Sequence, residues 1–239
     1  MSESVLILGA NSDVAKECID QYVRKGYQVV AASRNLKQLE EFIKSHKIEE
    51  KVELKHFDAV DFSSHQGFYD DLKTKPSIVV YAAGFLVDNE KALRDWEGSY
   101  QMMNVHYAGA VSILNIVSTD ESNTNLQQII GLSSLSGVRG RKSNFIYGST
   151  KSAFTQYLAG LKQYLMPRKI KVNVIVAGYI RSKMTAGLEL KESLMLEPEF
   201  IAQAVVNAKN KLIIVPGFKW KVIYMILKLL PESLVAKLP

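Results

Sequence analysis

The sequence predicts a single α/β domain, a doubly wound parallel sheet with helices on both faces, followed by an amphipathic helical tail. Three observations carry this. Seven short runs nearly continuous in Val, Ile and Leu punctuate the chain, as expected of strands buried on both faces. Longer segments of helical period separate the runs, the arrangement of strands joined by crossover helices. No internal repeat, low-complexity stretch or Pro/Gly/Ser-rich linker interrupts them, so 239 residues with 47% hydrophobic content fill one core rather than two.

Ligands of such a sheet gather beyond the carboxyl ends of its strands, so the residue after each run matters most. The first run, "SVLIL", leads into "GANSDVA", where Gly9 can turn tightly. The following helix start, with Asn11, Ser12, Asp13 and Val14, offers unsatisfied amides to a phosphate. The second, "YQVVAAS", ends at Ser33, and Arg34 stands where dinucleotide folds that prefer NAD carry an acidic residue. A guanidinium there suits a ribose 2′-phosphate, the alternative being a snorkelling surface side chain. After the third, "KVELKHF", Asp58 and Ala59 follow, and Asp58 either accepts from an adenine amino group or caps a helix. The fourth, "SIVVYAA", ends in small residues, Ala82, Ala83 and Gly84, that allow close approach of a nucleotide or simply of packed backbone.

The fifth run, "LQQIIGLSS", ends at Ser134, thirteen residues before Tyr147. The next helix opens with "FIYGSTKSAF", in which Tyr147 and Lys151 are four apart and so share a face. A free phenol has a pKa of about 10, and a neighbouring cation draws it toward the working range. Taken alone, Y-x-x-x-K is equally a surface tyrosine beside a solvated lysine. Asn104, in "MMNVHYAG" on the preceding long helix, completes a set of four polar groups converging on the mouth of the sheet. The sixth run, "KVNVIVAG", carries Ala177 and Gly178 and leads to Ile180, Arg181 and Ser182, and the seventh, "KLIIVPG", closes the domain.

Taken together, the glycine turn, "YAAG", Asn104, Ser134, "YGSTK" and "AGYIRS" resemble the short-chain dehydrogenase/reductase family over residues 1 to about 215. The resemblance implies a Rossmann domain that binds NADP(H) and reduces a ketone. Tyr147 would be the general acid and Ser134 the hydrogen-bond donor to the ketone oxygen. Lys151 would lower the tyrosine pKa and hold the nicotinamide ribose, and Asn104 would support a water-linked proton relay. The coenzyme would lie along Gly9, Asn11 to Val14, Ser33, Arg34, Asp58, Ala59, Ala83, Gly84, Tyr147, Lys151, Ala177, Gly178, Ile180 and Ser182. Two departures stand out: the three glycines usual in the family's turn are here Gly9, Asp13 and Ala15, and Ala177 replaces a proline. Asp13 would repel a pyrophosphate unless it turns away or caps the helix.

Arg139, Arg141 and Lys142 lie between Ser134 and Tyr147, and Arg181 and Lys183 follow the sixth run, so five positive charges are expected to frame one mouth. A phosphate on the substrate would explain them, with Arg139, Arg141 and Arg181 as its ligands, and a solvated charged loop is the alternative. The tail, residues 217–239 after the domain of residues 1–216, is apolar from Phe218 to Leu230 with Lys219, Lys221 and Lys228 interspersed, too short to span a bilayer that needs about 20 residues. It suits a helix lying on a membrane, packed in an oligomer interface or closing the substrate cleft. "NFIYGSTKSAF", "GYIRSKMTAGL" and the tail resemble one branch of the family, the decaprenylphosphoryl-2-ketoribose reductases. That branch implies a polyprenyl-phosphate-linked keto sugar as substrate, a separate flavin-dependent oxidase as partner, and a homodimer or homotetramer. The alternatives are a soluble ketoreductase of a sugar phosphate or acyl substrate, and a protein that senses NADP without turnover, which would have no use for Tyr147 and Lys151 together. The single cysteine, Cys18, and the lack of a basic-then-apolar leader point to the cytoplasm, with peripheral membrane contact. A net charge of +6 favours anionic partners, but the basic residues are spread along the chain, so no nucleic-acid surface is expected.

Overall fold

The computed structural model describes residues 3–237, so the outermost two residues of each expected segment lie outside the described part. The seven runs become seven strands, β1 (Ser4–Leu8), β2 (Gln28–Ser33), β3 (Val52–His56), β4 (Ile78–Tyr81), β5 (Gln128–Ser134), β6 (Lys171–Ala177) and β7 (Ile213–Ile214). They form one sheet in the order β3-β2-β1-β4-β5-β6-β7, and every pairing is parallel. β7 is short because the run ends in Pro216, which has no N–H for the ladder.

Side chains of the central strands alternate between two buried layers, which is why those runs carry no polar face, whereas the edge strand β3 alternates Val52 and Leu54 with Glu53 and Lys55. Val5 and Ile7 of β1 enter one layer and Leu6 and Leu8 the other. The first layer is covered by α1 (Asp13–Arg24), α2 (Leu36–His46) and α8 (Pro198–Val206), which contribute Cys18, Ile19, Leu39, Ile43 and Ile201. The opposite face is covered by α3 (His65–Asp70), α6 (Gly109–Thr119) and α7 (Phe145–Leu165), through Tyr69, Ile113, Leu114, Phe154 and Leu158. α4 (Asn89–Arg94) and α5 (Trp96–Met103) lead into a π-helical turn over residues 104–108, and α9 (Phe218–Leu229) and α10 (Glu232–Val235) form the tail. The tail is not separate from the domain core: Trp220 and Leu227 of α9 are 4% and 6% exposed and belong to the second layer.

Strand order reverses between β1 and β4, and there the chain demands glycine. Gly9 has φ +84°, and a Cβ on it would lie 2.3 Å from the backbone nitrogen of Ala83. The turn after β1 and the "YAAG" segment after β4 pack backbone to backbone here, at the switch point of the sheet.

Candidate active site

β5 delivers Ser134 to the carboxyl edge of the sheet, opposite Ala177 of β6. The first two turns of α7 present Tyr147 and Lys151 beside it. Lys151 is 6% exposed; its Nζ donates to the Leu132 carbonyl at 3.2 Å and flanks Gly84 in the loop after β4. The Ser134 hydroxyl accepts the Ser136 N–H at 3.2 Å. Burial dominates both ionisations, pushing the phenol up to about 12 against a smaller opposing pull from Ser134, and the ammonium down to about 8. The expected depression of the Tyr147 pKa by Lys151 is therefore not what the protein alone displays. The Lys151 ammonium sits 5.8 Å from the phenol ring centroid, and enclosure of the hydroxyl outweighs it.

Asn104 opens the π-helical turn, and its carbonyl accepts the N–H of Gly109, five residues on. The Tyr81 hydroxyl, at the end of β4, donates to the carbonyl of Val105 at 2.5 Å and fixes the turn against the sheet. His106, in the same turn, was not anticipated. It is fully buried beside Tyr147, Thr150 and Lys151. A lone histidine in an apolar helix reads as core, and only the approach of the β4 loop gives it a place in the site.

On the coenzyme side, Ser12 caps α1 by accepting the Ala15 N–H at 3.1 Å. Asn11 donates to Ser33 Oγ (2.8 Å) and to the Asn35 carbonyl (2.5 Å), tying the glycine turn to the end of β2, while its Oδ1 is buried without a partner. Arg34 is exposed and has no hydrogen-bond or ion-pair partner among the described residues. Asp58 Oδ1 accepts the Val60 N–H (3.1 Å), a local turn and not a helix cap, and its carbonyl pairs with His65 Nε2 (2.9 Å). Asp13 turns away from the glycine crevice: its Oδ2 accepts the Lys183 backbone N–H at 2.8 Å, linking α1 to the loop after β6. Val14 and Ala59 are buried in the two core layers. Ala83 and Gly84 face Gly9 and Lys151. Gly178 carries the Trp220 indole, Ile180 bridges to Leu196, and Ser182 donates its backbone N–H to Thr185 Oγ1. The α1 amides beyond the Ser12 cap, the unpartnered Asn11 Oδ1 and the exposed Arg34 fit a dinucleotide with a 2′-phosphate.

The substrate side differs from expectation. Arg139 does not face the mouth: its Nε and Nη2 donate to the carbonyls of Leu227 and Lys228 at 3.1 Å each, capping α9. Arg181 pairs with Glu192 (2.7 Å) and Glu197 (2.9 Å), which occupy its guanidinium. Of the five expected charges, Arg141 is the one among the lining residues of a cavity of about 350 Å³ that starts at Ser134 and runs beneath α9. Tyr179, Trp220, Ile223 and Leu227 make most of the wall apolar. Arg141 reaches Ser136 Oγ only at 3.5 Å, and its Nε is buried without a partner.

Residues 3–193 match the family model described as short chain dehydrogenase. An uncharacterized oxidoreductase of Mycobacterium tuberculosis is 25% identical over 98% of this chain and 96% of its own. A short-chain dehydrogenase from Burkholderia cenocepacia, solved with NADP, superposes with a TM-score of 0.84 at 17% identity, covering 98% of this chain and 95% of that one. An actinorhodin polyketide ketoreductase variant solved with NADPH gives a TM-score of 0.79 at 15% identity over 90% and 95% of the two chains. At these identities the two structures attest the fold.

Proposed function

This chain belongs to the short-chain dehydrogenase family, and from that premise we propose that it reduces a ketone with NADPH, its substrate a 2-keto pentose linked through phosphate to a polyprenyl lipid. The observation that carries the reading is the cavity that joins Ser134 to the underside of α9, lined mostly by apolar side chains, with Arg141 as its charged lining residue together with the hydroxyls of Ser134 and Ser136. A substrate with an anionic link beside its keto group and a long apolar chain matches that distribution.

NADPH, when bound, supplies the hydride for the carbonyl carbon. Gly9, the α1 amides and Arg34 would hold its phosphates, and Gly84, Lys151 and Gly178 its nicotinamide half. Ser134 donates a hydrogen bond to the ketone oxygen and orients it toward Tyr147. The Tyr147 hydroxyl gives up its proton as that oxygen gains charge. Lys151, one helical turn away and cationic below about pH 8, stabilises the resulting tyrosinate. Asn104, fixed by the π-helical turn, supports the return of a proton to Lys151. The Arg141 guanidinium, short of partners in its enclosed position, takes the phosphate.

The outer face of α9 supports work at a membrane surface. Phe218, Val222, Met225 and Leu229 form an exposed stripe at helical spacing, with lysines beside it. No helix among the described residues is long and apolar enough to cross a membrane. On this reading the enzyme acts in the cytoplasm as a homodimer or homotetramer and receives its ketone from a flavin-dependent oxidase. The likeness to a polyketide ketoreductase favours a second reading, reduction of a soluble acyl or sugar-phosphate ketone. The two separate when NADPH consumption is followed with decaprenylphosphoryl-2-ketoribose in detergent, a water-soluble 2-keto pentose phosphate, and an acetoacetyl thioester. The lipid-linked reading expects turnover of the first far above the others. Turnover of the thioester alone replaces it.

A further inference from the structure

His106 is a polar residue of this site to which the proposed chemistry gives no task. Its ring is fully buried, and its Nε2 accepts the backbone N–H of Phe85 at 3.1 Å. An accepting Nε2 leaves the ring proton on Nδ1 in the neutral imidazole. Nδ1–H then donates to Thr150 Oγ1 at 2.8 Å, and the Thr150 hydroxyl donates to the Tyr147 carbonyl at 2.7 Å. Three hydrogen bonds thus run from the loop after β4 to the first turn of α7, with both ring nitrogens satisfied.

The ring does more than bridge. It stands edge-on to the Tyr147 phenol, centroids 5.4 Å apart at 88°. A Cβ added to Gly84 would lie 3.3 Å from His106 Nε2 and 3.3 Å from Lys151 Nζ, so ring and ammonium flank the same bare backbone. The titratable groups facing the imidazole, Lys151 and Tyr147, both come from α7.

We propose that His106 is a positioning residue of the reductase, an uncharged bolt that fixes the Gly84–Phe85 loop against the Tyr147–Lys151 face of α7. The proposal rests on the reductase reading for what is positioned, though not for the bolt itself. A proton on Nε2 would expel the Phe85 N–H and set a second cation beside Lys151, and burial holds the imidazole well below its usual pKa. Such placement matters because a shift of about 1 Å in a reacting group can cost on the order of a hundredfold in rate.

The test uses the full chain and three substitutions. His106→Phe keeps the ring volume and loses both hydrogen bonds; His106→Gln keeps an acceptor toward Phe85; His106→Asn keeps a donor toward Thr150. Long-range proton–nitrogen NMR, assigned with the Gln variant, should show a neutral Nδ1–H ring from about pH 5 to about pH 8. An Nε2–H or cationic ring at pH near 6 overturns the bolt. With NADPH and phenanthrenequinone as the model dicarbonyl, His106→Phe should lose roughly ten- to a hundredfold in kcat, while KM and the NADPH Kd move less than about threefold. The Gln and Asn variants should each recover part of the loss, and they carry the comparison if the Phe variant does not fold. Folded variants that keep the wild-type kcat overturn the positioning role. A wild-type protein inert toward both the quinone and the lipid-linked sugar overturns that role together with the reductase reading, and the imidazole spectrum then decides the bolt on its own.

Discussion

The Trp220 indole lies flat against the bare Cα of Gly178, so close that a Cβ there would come within 2.1 Å of the ring. Trp220 Nε1 donates to the Leu194 carbonyl at 2.9 Å and Tyr179 packs edge-on at 5.0 Å, so the ring cannot swing aside freely. This contact seats the tail helix over the cavity beside Ser134. Gly178→Ala should force the ring outward at a cost of about 1–3 kcal/mol, read as a lower urea midpoint. An unchanged midpoint would mean that α9 is loosely seated.

Arg139 secures the other end of the same helix. Arg139→Ala leaves the Leu227 and Lys228 carbonyls without their donors, and we expect faster amide hydrogen exchange across residues 218–229 with exchange in the sheet unaltered. Uniform acceleration throughout the chain would contradict a local cap.

Arg34 is predicted to read the coenzyme's 2′-phosphate. Losing one charge-assisted contact of this kind weakens binding by roughly ten- to a hundredfold, so Arg34→Ala should raise the Kd for NADPH by that factor and leave NADH almost unchanged. Equal weakening of both coenzymes in fluorescence titration would make Arg34 structural.

The buried lysine gives a pH signature to the coenzyme-free protein. Its pKa falls from 10.5 to about 8 on folding, so between those values the unfolded chain binds the proton and the native protein does not. Stability from this group therefore rises as pH increases from about 8 toward 10.5, with a total span of roughly 3 kcal/mol. Tyr147 works oppositely, since a phenol raised to about 12 is lost from the unfolded chain first and lowers stability above pH 10. The stability of wild type relative to Lys151→Met, from urea unfolding at stepped pH, should climb across the lysine window. A flat difference would show that the ammonium remains hydrated.

The central strands were legible in the sequence because a strand buried on both faces leaves an apolar run, while the edge strand β3 alternates Val52 and Leu54 with Glu53 and Lys55. Ser134, Tyr147 and Lys151 could be placed because their relation is local, one helix and the strand end before it. The arginines could not. Arg139 is held by carbonyls 88 and 89 residues downstream and Arg181 by Glu192 and Glu197, so counting charges along the loops overstated the charge at the mouth. His106 was missed for a related reason, since its partners lie on β4's loop and α7. The tail's amphipathic period was visible, but the packing of Trp220 on Gly178, which makes it part of the cavity wall, depends on tertiary structure alone.

Whether Tyr147 supplies the proton in an NADPH-dependent ketone reduction is decided by following NADPH oxidation in wild type and Tyr147→Phe on the same ketone, with coenzyme binding measured alongside. With Tyr147 as the proton donor, the Phe variant keeps the NADPH Kd and loses about 10² to 10⁴ in rate. A folded Phe variant that turns over at the wild-type rate would contradict it.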